Sequence, residues 1–222
     1  MLDELKKNFP PVVAGAPADY HPLSLYTKDV RDDLPTRSGA QALGALYSTW
    51  ATLAETERQV TDKSKLNDFV LNEMTKALAA SEKTLNYVKS MEAENSKAIR
   101  NDIVKLRSHH AEEIRAVYRA QKVPLSTLLQ DARSNPEIAG ALAYVPSVLL
   151  GITRQEADRL NDAIEAAHAV SSYQTRASAR KVATKIEAAR EQFAREYFGK
   201  TTKWAQSDDV VIAAAKRKRT AA

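Results

Sequence analysis

Residues 64–91, SKLNDFVLNEMTKALAASEKTLNYVKSM, carry apolar side chains at intervals of three and four and contain neither glycine nor proline. Spacing of this kind places the apolar side chains on one face of an α-helix. The stretch belongs to a longer segment, residues 45–123, that is also free of glycine and proline. The pattern predicts that long amphipathic helices form the basis of the fold. The apolar positions that define the face are Leu66, Phe69, Val70, Met74, Leu78, Leu85, Val88 and Met91.

Helical spacing also occurs on both sides of this stretch, and no convincing β alternation is present anywhere in the chain. The sequence predicts an all-α fold, an elongated bundle of long amphipathic helices. It has an extended N-terminal arm over residues 1–39, a helical domain over 40–199 and a basic tail with a short helix over 200–222. Within the domain we expect helices at about 40–60, 64–121, 125–134, 136–150 and 154–198.

The predicted helix over 64–121 leaves one question open. Its middle, Glu92 to Lys97, is almost wholly polar. Either the apolar face changes its packing partner there, or the helix is broken into a hairpin. A straight helix of this length would span about 85 Å at ~1.5 Å per residue, which is long for a compact bundle.

Local signals indicate where several helices begin and end. Asn135-Pro136-Glu137 combines an N-cap residue with proline at the first helical position. Thr153 and Glu156 have the spacing of a capping box. Gly199 is placed for a C-cap, and Ser207 is expected to start the last short helix.

The N-terminal arm contains prolines at 10, 11, 17, 22 and 35. Proline at that density prevents a continuous helix and favours extended chain. Apolar and aromatic residues nevertheless recur, which is unusual for a disordered linker. We therefore expect the arm to lie on a surface, either of its own bundle or of a neighbouring subunit. The predicted anchors are Phe9, Pro10, Tyr20, Leu25 and Tyr26.

Positive charge is concentrated at the C-terminal end. Residues 174–222 hold 12 Lys and Arg against 5 Asp and Glu, a net charge of +7, whereas the other 173 residues hold 21 against 23, a net charge of −2. Such an asymmetry indicates contact with a polyanion or with an acidic protein surface. The candidate contacts are Arg176, Arg180, Lys181, Lys185, Lys216, Arg217, Lys218 and Arg219.

Motifs for catalysis are weak in this sequence. There is no cysteine, no glycine-rich phosphate loop and no HExxH motif. Glu165 and His168 have ExxH spacing but lack the second copy that a di-iron bundle needs. His109 and His110 point about 100° apart on a helix, which suits one metal ion poorly. We therefore expect no catalytic residue, no metal site, no cofactor and no enzyme activity.

Residues 134–169, SNPEIAGALAYVPSVLLGITRQEADRLNDAIEAAHA, resemble a segment found in small structural proteins of tailed bacteriophages. The resemblance covers 36 of 222 residues and includes the Asn-Pro-Glu-Ile-Ala helix start and the Thr-capped helix. It implies a place in a virion or in its assembly pathway, and it assigns no functional residue.

Together these observations predict a non-enzymatic structural or assembly subunit of a bacteriophage particle. We expect it to form homo-oligomers and to contact other virion proteins, in the virion or in the host cytoplasm during assembly. The positive charge of the C-terminal end would also allow contact with DNA there. No apolar run is long enough for a membrane span or a signal peptide. The alternative is a helical nucleic-acid-binding or regulatory protein that uses the basic C-terminal segment.

Overall fold

The computed structural model describes residues 9–13, 16–26 and 32–220, without the side chains of residues 63, 64 and 206–220. Within these ranges the chain is helical and has no β-strand. Two short 3-10 helices, Ala18–Tyr20 and Pro22–Leu25, lie in the arm, which is therefore not extended throughout. The eight α-helices that follow are α1 (Leu34–Gln59), α2 (Lys63–Lys105), α3 (Ala111–Gln121), α4 (Leu125–Ser134), α5 (Pro136–Leu142), α6 (Ser147–Leu150), α7 (Arg154–His168) and α8 (Val170–Thr220).

The contacts group these elements into two compact units rather than into one domain over 40–199. Unit 1 comprises residues 1–89 and 178–222, and unit 2 comprises residues 90–177. Both α2 and α8 contribute a part to each unit. Unit 1 thus joins segments that are remote in sequence, whereas unit 2 is continuous.

The core of unit 1 forms where α1 packs against the later part of α8. Trp50 is fully buried and its ring meets that of Phe193 at 5.2 Å between centroids. A Cβ atom on Gly39 would lie 2.2 Å from Val182 Cγ1, so glycine allows the two helices to approach closely. The large apolar side chains that recur along α1 at helical spacing form one buried face: Leu43, Leu46, Tyr47, Trp50 and Leu53.

Helix α1 begins earlier than the expected residue 40. Asp33 is its N-cap, and the Asp33 side chain accepts a hydrogen bond from the Thr36 amide at 3.0 Å. Pro35 falls in the first turn, where a helix needs no amide donor. The proline that was expected to belong to the arm is therefore part of a helix start.

Helix α2 answers the question that the polar stretch left open. It continues without a break through Glu92 to Lys97 and ends at Lys105, so a hairpin at that stretch is wrong. The boundary between the units falls after Lys89, close to the polar stretch, in agreement with a change of packing partner. A single helix over 64–121 is also wrong, because residues 106–110 separate α2 from α3.

Unit 2 packs short helices around a small apolar core. Asn135 caps α5 by accepting from the Glu137 amide at 2.9 Å, and Thr153 and Glu156 form the expected capping box at α7. The predicted helix over 136–150 is divided into α5 and α6, because Pro146 holds Val145 out of a helix. The buried core side chains include Ile99, Ile103, Leu128, Leu142, Leu160 and Ile164.

Helix α8 departs from the prediction at both ends. The expected helix over 154–198 is broken at Ala169, and α8 continues past Gly199 to Thr220. Gly199 does not adopt the left-handed backbone of a C-cap. The separate short helix expected from Ser207 is therefore part of α8.

None of the described helices combines the length and the apolar character that crossing a membrane requires.

Candidate docking surfaces

The arm is held in place by His21, a residue that the sequence reasoning missed. His21 is buried, and its Nε2–H donates to the Pro10 carbonyl at 2.8 Å. Its Nδ1 accepts from the Leu23 amide at 3.2 Å. A carbonyl can only accept and an amide can only donate, so Nε2 carries a proton and Nδ1 does not, which is the Nε2–H tautomer. The ring also meets Tyr47 edge-on at 5.0 Å, which joins the arm to α1. The sequence signal that could have revealed this role is the pair His21-Pro22, which begins the second 3-10 helix.

The predicted anchors pack on α1 or on each other. Leu25 is buried beside Gly39, and Tyr20 stacks on Trp50 with 6.2 Å between ring centroids. Phe9 contacts Tyr26 within the arm, also at 6.2 Å. The Tyr47 hydroxyl accepts from the Val13 amide at 3.1 Å. The described part of the arm therefore packs on its own chain through rings and a few hydrogen bonds, without a backbone ladder.

The predicted basic contacts are in different environments. In unit 2, Arg176 forms an ion pair with Glu165 and lies over the Tyr173 ring at 5.2 Å. In unit 1, Lys185 lies 5.9 Å from the centroid of Tyr20. Arg180 and Lys181 are exposed and each has an interaction within the chain. The side chains of Lys216, Arg217, Lys218 and Arg219 lie outside the described residues.

The candidate chemical groups do not assemble into a reactive site. Glu165 and His168 have separate partners, since His168 Nε2–H donates to the Ala132 carbonyl at 2.7 Å. His109 and His110 are exposed at the turn before α3, where His110 contacts Glu113 at 3.1 Å. Among the described residues, no three His, Asp or Glu side chains lie close enough together to hold a metal ion.

Three polar side chains of helix α3 connect it to neighbouring helices of unit 2. None of its residues is buried. Arg115 Nε donates to the Ala141 carbonyl at the end of α5, and Arg119 Nε donates to the Leu149 carbonyl at the end of α6. The Tyr118 hydroxyl donates to Asp131 at 2.7 Å. Cations at helix C-termini are favoured by the exposed carbonyls and the helix dipole.

A cleft of about 420 Å³ lies beside α3 in unit 2. Its apolar wall includes Ile103, Val104, Tyr144 and Leu149, and Arg107 and Arg115 supply charge. The sequence reasoning missed it, because these residues are brought together from α2, α3, α5 and α6.

Tyr144 has an unusual backbone at this cleft. Its φ angle is 57°, in the left-handed region, which costs a non-glycine residue about 1–3 kcal/mol. Two hydrogen bonds hold it there: the Tyr144 amide donates to Asn161 at 2.8 Å, and the hydroxyl donates to Glu165 at 2.9 Å. Burial, followed by the bond to Glu165, raises the pKa of Tyr144. The phenol is therefore kept protonated, and the surroundings of Tyr144 determine its conformation.

No protein-family model, curated protein or solved structure matches this chain.

Proposed function

We propose that this protein is a non-enzymatic structural or assembly subunit of a bacteriophage particle that associates through helix surfaces and terminal docking arms. It would then act in the virion, or in the host cytoplasm during assembly, as an elongated helical bundle with a proline-rich arm and a basic C-terminal helix. Homo-oligomers and other virion proteins are its proposed partners.

The observation that carries the proposal is the attachment of the arm. The arm lies on α1 through ring contacts of His21 and Tyr20 and through burial of Leu25, all of which are side-chain contacts with a helix surface. A second copy presents the same surface. Exchange of such an element between identical subunits keeps every contact and is a low-cost route to an oligomer. The resemblance of residues 134–169 to phage structural proteins supports the proposal that this subunit belongs to a phage particle.

The test is the oligomeric state in solution. Light scattering after size-exclusion chromatography, over a range of concentrations, is expected to show a defined oligomer for the full chain. Deleting residues 1–26 should abolish it and leave α1 with its Asp33 cap. A milder variant, Tyr20→Ala with Leu25→Ala, should weaken the oligomer. A full chain that stays monomeric at all concentrations, with or without the arm, would refute the proposal.

The alternative function, nucleic-acid binding through the basic C-terminal segment, has support from charge alone. Several of the basic side chains in and near that segment already have acidic partners: Arg176 with Glu165, Arg190 with Glu82, and Lys200 with Glu57. The alternative requires an affinity for duplex DNA that falls steeply with salt. It also requires that replacing Lys216 to Arg219 with alanine removes this affinity.

A further inference from the structure

Several apolar side chains are exposed around the edge of the 420 Å³ cleft of unit 2. Val104 and Leu149 are each 45% exposed at its edge, and the neighbouring Val148 is 79% exposed. Single exposed apolar residues are ordinary on protein surfaces, whereas a group around a concave site indicates a binding surface. The floor beneath them is buried, because Ile103 is only 2% exposed.

The charged groups around the cleft leave one cation available. Arg115 is paired with Glu112, and Glu137 accepts a hydrogen bond from Ser108. Arg107 is exposed and, within the part of the chain that the structure describes, its side chain has no ion pair or hydrogen bond. The described residues that line the cleft include no Asp or Glu. A ligand that places a carboxylate beside an apolar group would complement this surface.

Tyr144 makes one wall of the cleft rigid. Its amide and its hydroxyl are both held, by Asn161 and Glu165, in a backbone conformation that tyrosine seldom adopts. An aromatic wall that is fixed before binding loses little conformational entropy of its own on docking. Tyrosine and arginine are also enriched among the residues that contribute most to binding at protein interfaces.

We infer that the cleft is a docking site for the N-terminal residues Leu2-Asp3-Glu4-Leu5 of a second copy of this chain. The inference rests on the proposed function and names the site that receives an arm. Two carboxylates stand between two leucines in this segment, so a leucine can enter the apolar cleft while a carboxylate meets Arg107. The segment precedes the described part of the arm.

Cysteine cross-linking in the full chain tests the contact directly, because the natural sequence has no cysteine. Two singly substituted variants, Leu5→Cys with an affinity tag and Leu149→Cys without one, are mixed and mildly oxidised. A disulfide between them can only join two copies. The expected result is a mixed dimer that forms at least about tenfold faster than in a control pairing of Leu5→Cys with Gln155→Cys, which lies on α7 outside the cleft. Equal rates in the two pairings would overturn the inference.

Reversing the charges on the two surfaces is a second test. Its result does not depend on the geometry of a single pair of cysteines. Arg107→Glu, or Asp3→Lys with Glu4→Lys, should each weaken self-association about tenfold, and the combined variant should recover it. Arg133→Glu, an exposed arginine outside the cleft, serves as the matched control. If both charge reversals leave association unchanged while deletion of residues 1–26 abolishes it, the cleft assignment fails and the proposed function stands. If no oligomer forms at all, both fail.

Discussion

Gly140 of α5 lies directly against the carbonyl group of Leu106, the first residue after α2: a Cβ atom on Gly140 would stand 1.8 Å from the Leu106 oxygen. No real atom tolerates that distance, and a backbone carbonyl cannot rotate away as a side chain can. This contact places α5 across the turn that separates α2 from α3 and so helps to form the cleft.

Replacing Gly140 with alanine is therefore expected to lower the free energy of unfolding by about 1–3 kcal/mol, as over-packing does in other cores. Chemical denaturation followed by circular dichroism measures the change. Gly199→Ala is the matched control, since nothing lies within 4 Å of its added methyl and it is inside α8. That variant should gain about 0.5–1 kcal/mol, because alanine favours helix over glycine. Equal effects at both positions would contradict the packing argument.

Removing the hydrogen bonds of His21 should loosen the arm. His21→Phe keeps a ring against Tyr47 but leaves the Pro10 carbonyl and the Leu23 amide without their partner. Unsatisfied buried groups of this kind cost about 1–3 kcal/mol. We expect faster hydrogen exchange at the Leu23 amide by nuclear magnetic resonance. His109→Phe, at an exposed position, should leave that amide unchanged.

The ion pair of Glu165 with Arg176 should contribute far more to the free energy of unfolding than a surface ion pair does. Their side chains are only 12% and 15% exposed, and Glu165 also accepts from Tyr144. Glu165→Gln should cost about 3 kcal/mol, the lower end of the range for removing one charge from a buried pair. Glu191→Gln breaks the exposed pair with Arg195 and should change the free energy of unfolding by less than about 1 kcal/mol. A double-mutant cycle with Tyr144→Phe would measure how far the strained tyrosine depends on Glu165.

Alkaline pH should weaken the attachment of α3. Burial, and then the hydrogen bond to Asp131, raises the pKa of Tyr118 from 10.0 to about 12. The folded state thus holds this proton more tightly than the unfolded state. The stabilisation is complete below pH 10 and is lost as pH rises through about 12. Unfolding free energies measured across this range should fall less steeply for Tyr118→Phe than for the natural chain. Identical slopes would show that the Tyr118 proton does not stabilise the fold.

Much of the candidate arm site could be predicted from the sequence, whereas the cleft could not. Leu25 and Tyr20 stood out as apolar residues among prolines, and both contact α1. His21 did not stand out, because its importance depends on the position of Tyr47, 26 residues later. The cleft joins Val104 with Leu149, and no local pattern relates residues so far apart.

The sequence by itself determined the all-helical character, the buried face of α1 and the caps at Asn135 and Thr153. These features depend on side chains within about one helical turn of each other, so local spacing is enough to reveal them. Tertiary structure alone decided that the helix over 64–121 breaks at residues 106–110, that α8 runs past Gly199, and that two units form. Those outcomes depend on contacts between remote segments, such as Gly140 with Leu106, whose energies outweigh the local preference for a continuing or an ending helix.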